Sequence, residues 1–167
     1  MRKILLLFNA LLLTATAMAH DVEIDGIYYN LDEENKTAEV TYEGDDFGTN
    51  DEYSGAVSIP NTITYNSETY IVTTIGIYAF SGCSELTSVT IPNSVTRIGD
   101  EAFSWCSDLT SVVIGEKVES IGSGAFNGCE ELTSVTIGER VESIGSDAFN
   151  SCRSLTSVTI PNSVTSI

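Results

Sequence analysis

One hexapeptide pattern occurs in four copies at a fixed interval, and that interval limits what the chain can fold into more than any other feature. Ile75-Gly76-Ile77-Tyr78-Ala79-Phe80 returns as Ile98-Gly99-Asp100-Glu101-Ala102-Phe103. It returns again as Ile121-Gly122-Ser123-Gly124-Ala125-Phe126 and as Ile144-Gly145-Ser146-Asp147-Ala148-Phe149, each copy 23 residues after the last. Cys83, Cys106, Cys129 and Cys152 follow each Phe by three positions, and Leu86, Leu109, Leu132 and Leu155 keep step. Then come Val89/Ile91, Val112/Ile114, Val135/Ile137 and Val158/Ile160, followed by Val95, Val118, Val141 and Val164. About eight of the 23 positions face inward, too many for one unit to bury alone. Stacked units bury them against each other, which is the physics of a solenoid.

Within a unit, Leu86-Thr87-Ser88-Val89-Thr90-Ile91 ends in apolar alternation. Val89 and Ile91 point one way and Ser88 and Thr90 the other, which predicts a short strand paired in parallel with its copies. Pro92-Asn93 or Gly115-Glu116 turns the chain, and Val95 and Ile98 rejoin the interior. Gly99 permits a tight corner, and Ala102-Phe103 with Cys106 fits a short helical turn.

The string Leu-x-x-Val-x-Ile, then Val-x-x-Ile-Gly-x-x-Ala-Phe-x-x-Cys, resembles the BspA-like, or Treponema pallidum-type, leucine-rich repeats of bacterial surface proteins. The likeness covers four units over residues 75–167. It implies a leucine-rich-repeat solenoid of short parallel strands and short helical turns, an exported or surface location, and a role in adhesion or host contact.

Residues 1–19 read as a cleavable secretory signal, with Arg2 and Lys3 before a mostly apolar stretch and Ala17-Met18-Ala19 as the cleavage site. The apolar run is shorter than the roughly 20 residues a membrane span needs. Cleavage after Ala19 leaves a secreted or surface protein beginning at His20, without a transmembrane span. Residues 20–74 hold 13 acids against one lysine and read as an N-terminal β cap built on a degenerate first repeat. Asp21–Leu31 and Thr37–Tyr42 are expected as two strands around an Asp32–Lys36 turn. Val57-Ser58-Ile59-Pro60-Asn61 echoes Val89-Thr90-Ile91-Pro92-Asn93, and an inserted hairpin is expected around Asn66-Ser67. At the other end Ile167 is followed by no polar terminal unit. Further repeats and a sorting signal are therefore expected beyond it, the alternative being a last turn that docks on another chain.

Charge and composition then exclude whole classes of function. With 24 acidic and 7 basic residues the formal charge is −17, which argues against nucleic acid and against anionic membrane surfaces. A single histidine leaves acid–base chemistry without its commonest group. Serines and threonines recur at repeat positions, whereas a nucleophile is one residue in a special place. No catalytic residue, cofactor site or metal site is assigned. Cysteines on successive turns form a line, not the tetrahedron zinc requires. Side chains parallel in a column hold Cβ atoms farther apart than a relaxed disulfide prefers, so buried thiols are expected. Asp32–Glu34 and Asp45-Asp46 read as solvated turns, with weak calcium binding the alternative.

What remains is surface. The strand face offers Ser88/Thr90, Ser111/Val113, Ser134/Thr136 and Ser157/Thr159, short side chains able to contact an extended polymer or a protein, or simply to be soluble. Trp105 stands where other units have Gly82, Gly128 and Ser151, either anchoring a partner or covering a neighbouring loop. Tyr78 is a similar departure from the repeat. The expected function is non-catalytic binding of extracellular or host proteins, with a carbohydrate-binding or envelope-structural role as the alternative.

Overall fold

The computed structural model describes residues 20–43 and 53–167; the expected signal segment and Asp45-Asp46 lie outside the described residues. From Tyr53 onward the chain winds as a coil, and each turn has three sides. The first side carries β4 (Gly55–Ser58), β7 (Leu86–Thr90), β9 (Ser111–Val113) and β11 (Ser134–Val135), which form a four-stranded parallel sheet. Val57, Val89 and Val112 pair in register, with Val135 one step further on. The solenoid expected from the repeat is thus the fold observed.

The second side is also a sheet, which the sequence pattern concealed as a corner. Here β6 (Glu68–Ile75), β8 (Arg97–Ile98), β10 (Ser120–Ile121) and β12 (Ser143–Ile144) run parallel, with Ile75, Ile98, Ile121 and Ile144 in one row. Three N-terminal strands extend it, β1 (Val22–Ile24), β2 (Ile27–Asp32) and β3 (Thr37–Thr41), the last pairing parallel with β6. The expected single strand over Asp21–Leu31 is broken in two. Asp25 and Gly26 both take positive φ (52° and 76°), the geometry of a two-residue hairpin turn. Asn66 and Ser67 do the same (49° and 66°) between β5 (Thr62–Tyr65) and β6, which pair antiparallel.

The third side corrects a further expectation, since no short helical turn forms at Ala102–Cys106. On this side alternate peptide N–H groups point along the coil axis. Phe80 N donates to Ala102 O at 2.7 Å, Phe103 N to Ala125 O at 2.8 Å and Phe126 N to Ala148 O at 2.8 Å. The groups between them close tight turns, as when Ser81 N donates to Tyr78 O at 2.9 Å. Backbone N–H groups spent between turns are not available for i to i−4 bonding. Two residues per turn also sit at positive φ, one column being Tyr78, Glu101, Gly124 and Asp147 and the other Gly82, Trp105, Gly128 and Ser151.

The interior is a set of files. Phe80, Phe103, Phe126 and Phe149 stack with centroids 4.8, 5.2 and 5.4 Å apart and planes within 9° of parallel. Such offset stacking suits the ring quadrupole. Tyr53 closes the N-terminal end of this file, its ring 4.4 Å from Phe80 and its hydroxyl donating to Thr41 O at 2.8 Å. No helix among the described residues is long and apolar enough to cross a membrane.

Candidate binding surfaces

The cysteine file belongs to the core. Cys106, Cys129 and Cys152 donate Sγ–H to the carbonyls of Phe80, Phe103 and Phe126, one turn back, at 3.0–3.1 Å. All four cysteines are free and buried. Burial pushes the Cys152 thiol up to about 11, and contact with the Cys129 thiol together with burial raises Cys106. A thiol that does not ionise is a poor nucleophile. Native protein at pH 8 is therefore expected to react with an aromatic disulfide reagent only as fast as it unfolds, and denatured protein to release four equivalents. Fewer than four without reductant would reveal a bridge.

The Asp32–Glu34 cluster is a turn, as expected. Asp32 accepts from Glu34 N at 3.0 Å, Asn35 N at 2.9 Å and Asn35 Nδ2 at 2.8 Å, and the Asn35 side-chain bond heads the causes that lower its carboxyl. It is the stitch of the β2–β3 turn. Among the described residues no group of three or more His, Cys, Asp or Glu is placed to hold a metal ion. His20 packs its ring on Tyr28 at 4.6 Å.

The surface residues singled out from the sequence fall on two different sides. Ser88, Ser111 and Ser134 pair in one row across the outer face of the four-stranded sheet, Thr90 pairs with Val113, and Thr136 bridges to Thr159. Ser157 is exposed beside Thr159, and Val113 is 60% exposed near the middle of the strip. The exposed threonines Thr87, Thr110 and Thr133 widen it, with Thr110 Oγ1 donating to Thr87 O and Thr133 Oγ1 to Thr110 O at 3.0 and 3.1 Å. Tyr78 and Trp105 lie instead on the third side. The Tyr78 hydroxyl donates to Glu101 Oε1 at 3.4 Å, and that carboxylate heads the causes that raise its phenol.

A second polar row escaped the sequence reading. Asn30, Glu39, Thr74, Arg97, Ser120 and Ser143 pair in register across the outside of the longer sheet. At its N-terminal end Asn30, Glu39, Thr74 and Arg97 border an open cavity of about 410 Å³ lined also by Tyr42 and Ile77. Burial raises the Glu39 carboxyl there, opposed by a bond from Asn30 and by the charge of Arg97. The signal was the polar residue before each Ile-Gly pair, read as part of a corner because its strand is only two residues long.

Comparison with known proteins agrees with this architecture. Residues 54–167 match a family model described as the BspA type leucine-rich repeat region, six copies. A leucine-rich repeat protein from Bacteroides ovatus is 36% identical with a TM-score of 0.77, the match covering 89% of this chain and 37% of that one. A leucine-rich repeat protein of T. pallidum is 28% identical with a TM-score of 0.74, covering 88% of this chain and 64% of that one. A leucine-rich cell surface protein from Faecalibacterium prausnitzii is 32% identical with a TM-score of 0.63, covering 86% and 43%. The chain thus spans between about a third and two thirds of the length of these relatives. No curated protein matches it. Since the family match takes in well over half of its residues, the chain belongs to the BspA-type leucine-rich repeat family.

Proposed function

We propose that this chain is an exported, cell-surface, non-catalytic binding module that engages an extracellular or host protein through the outer face of its four-stranded sheet. The observation that carries this reading is the uncharged strip of Ser88, Thr90, Ser111, Val113, Ser134 and Thr136 on a chain of net charge −17. Carboxylates desolvate at high cost, so an extended surface free of them is where a protein partner docks with little penalty. The ladder is held rigid by its neighbours above and below, which reduces the ordering cost of association. The cell-surface relative from F. prausnitzii and the signal-like N-terminus support the location. Catalysis is not part of the reading, because the hydroxyls recur as repeat columns and a nucleophile is one residue in a special place.

The test is retention of the chain on immobilised extracellular-matrix and mucus proteins, compared with an unrelated acidic protein. Val113→Glu puts a charge into the centre of the strip without touching the core. It is expected to weaken retention at least tenfold, about 1.4 kcal/mol, with the thermal melt unchanged. Equal retention of parent, variant and acidic control would refute the reading.

A further inference from the structure

We propose that Trp105, together with Asn127 and Asn150, forms a binding subsite for a neutral pyranose on the third side of the coil. This site lies on a different face from the serine and threonine strip and does not depend on it.

The first observation is conformational. Trp105 has φ +61° at a register position that Gly82 and Gly128 occupy with φ +77° each. A bulky residue in this left-handed region is uncommon. Ser151 takes the same geometry at φ 59°, so the coil itself imposes it, and what sets Trp105 apart is that it is the one bulky side chain this column carries.

The second observation is how the indole lies. A Cβ added at Gly128 would meet Trp105 Cε3 at 2.8 Å, Cδ2 at 3.0 Å and Cζ3 at 3.3 Å. Three adjacent ring atoms at so nearly equal distances are met above a ring face, not at its edge. One face of the indole is therefore seated on Gly128, and 58% of the residue remains exposed. A flat aromatic face held against backbone and open to water is a stacking platform. Its negative π face attracts the slightly positive C–H groups that a pyranose presents on its apolar side.

The third observation is a pair of amides on the two following turns of the same side. Trp105 N donates to Asn127 O at 2.7 Å, the same inter-turn bond that Gly82 N and Gly128 N make, which places Asn127 on the turn next to Trp105, one residue before the Gly128 that the indole covers. The equivalent position is serine on the two preceding turns (Ser81, Ser104) and asparagine on this one and the next. Asn150 Nδ2 donates to Asn127 Oδ1 at 3.2 Å. That bond orients both amides and leaves the Asn127 NH2 group and Asn150 Oδ1 outside it, one set of donors and one acceptor for vicinal hydroxyls. Glu101, whose Cγ lies 3.2 Å from where a Gly124 Cβ would be, and Asp147 add carboxylates to the same side. They disfavour acidic sugars, and the uncharged amides suit a neutral one.

Trp105 is the sole tryptophan, so intrinsic fluorescence reports this site alone. The full chain is titrated with neutral hexose and N-acetylhexosamine tri- and tetrasaccharides, with a sialylated oligosaccharide and a proline-rich peptide as further arms. A saturable emission change is expected with at least one neutral saccharide and with neither of the others. Asn127→Ala and Asn150→Ala, which keep the fluorophore, are expected to weaken that saccharide at least threefold. Trp105→Gly, read by calorimetry, is expected to lose it at least tenfold while its circular dichroism stays that of the parent, since glycine fits this backbone in two other turns. The proposal is overturned if no neutral saccharide changes the emission, if the peptide or the sialylated sugar binds better, or if Trp105→Gly binds as the parent does.

Discussion

Phe103→Ala is expected to destabilise the chain by about 3–5 kcal/mol, among the larger costs a single substitution can carry. Phe103 is fully buried and sits between two ring partners, Phe80 at 4.8 Å and Phe126 at 5.2 Å. Removing it deletes an aromatic side chain and leaves a void that the adjacent turns cannot close, because their backbones are already hydrogen-bonded across the gap through Phe80 N and Phe103 N. The expected fall in melting temperature is on the order of 10 °C for a chain of this size. A solenoid adds a second signature. Its stability is a sum over neighbouring interfaces, so weakening a central one uncouples the turns on either side. Urea unfolding of Phe103→Ala should broaden or split into two transitions, whereas Phe149→Ala, at a half-buried position, should shift the midpoint less and leave one transition. A shift of under 1 kcal/mol for Phe103→Ala would mean that the ring file does not hold the turns together.

The sequence revealed the interior of this molecule far better than its backbone. Each file of Phe, Cys, Leu, Val or Ile meets the same neighbours one turn later, so the chemistry repeats and the period of 23 residues is plain. Backbone conformation does not repeat in residue type. The two positive-φ positions of each turn are occupied by Tyr78, Glu101, Gly124 and Asp147 and by Gly82, Trp105, Gly128 and Ser151. Only three of these eight are glycine, which hid the reason a helix cannot form there. The second sheet was hidden because two-residue strands such as Arg97–Ile98 are too short to show alternation. Tyr53 gave no periodic signal at all, since a residue that closes one end of a file occurs once. Trp105 was legible as an exception to the repeat, but its geometry against Gly128 was not, because that contact joins residues 23 apart through a backbone shape the sequence did not display.

The second large effect comes from two glycines at the same place in consecutive turns, for which opposite outcomes are expected. Gly115 and Gly138 share the register of Pro92 and Pro161. A Cβ at Gly115 would lie 2.3 Å from Pro92 O and 2.6 Å from Pro92 C, both backbone atoms. At Gly138 the nearest atom would be Glu116 Cα at 3.8 Å, an ordinary contact. Neither glycine has positive φ, so conformation does not distinguish them. Gly115→Ala must push two turns apart and is expected to cost roughly 1–3 kcal/mol or more. Gly138→Ala only restricts the unfolded chain and is expected to stabilise by about 0.4–1 kcal/mol. The difference has a local cause. Asn93 Oδ1 accepts from Glu116 N at 2.9 Å and draws the residue after Gly115 down onto the turn below. Glu116 stands at the Asn93 position one turn later, and among the described residues its longer side chain makes no such bond, so Gly138 rides higher. Asn93→Ala should therefore relieve part of the Gly115→Ala penalty, giving a favourable coupling of 0.5 kcal/mol or more in a double-mutant cycle by equilibrium unfolding. Additive effects would place the cause in the proline turn itself, and equal effects of Gly115→Ala and Gly138→Ala would remove the distinction altogether.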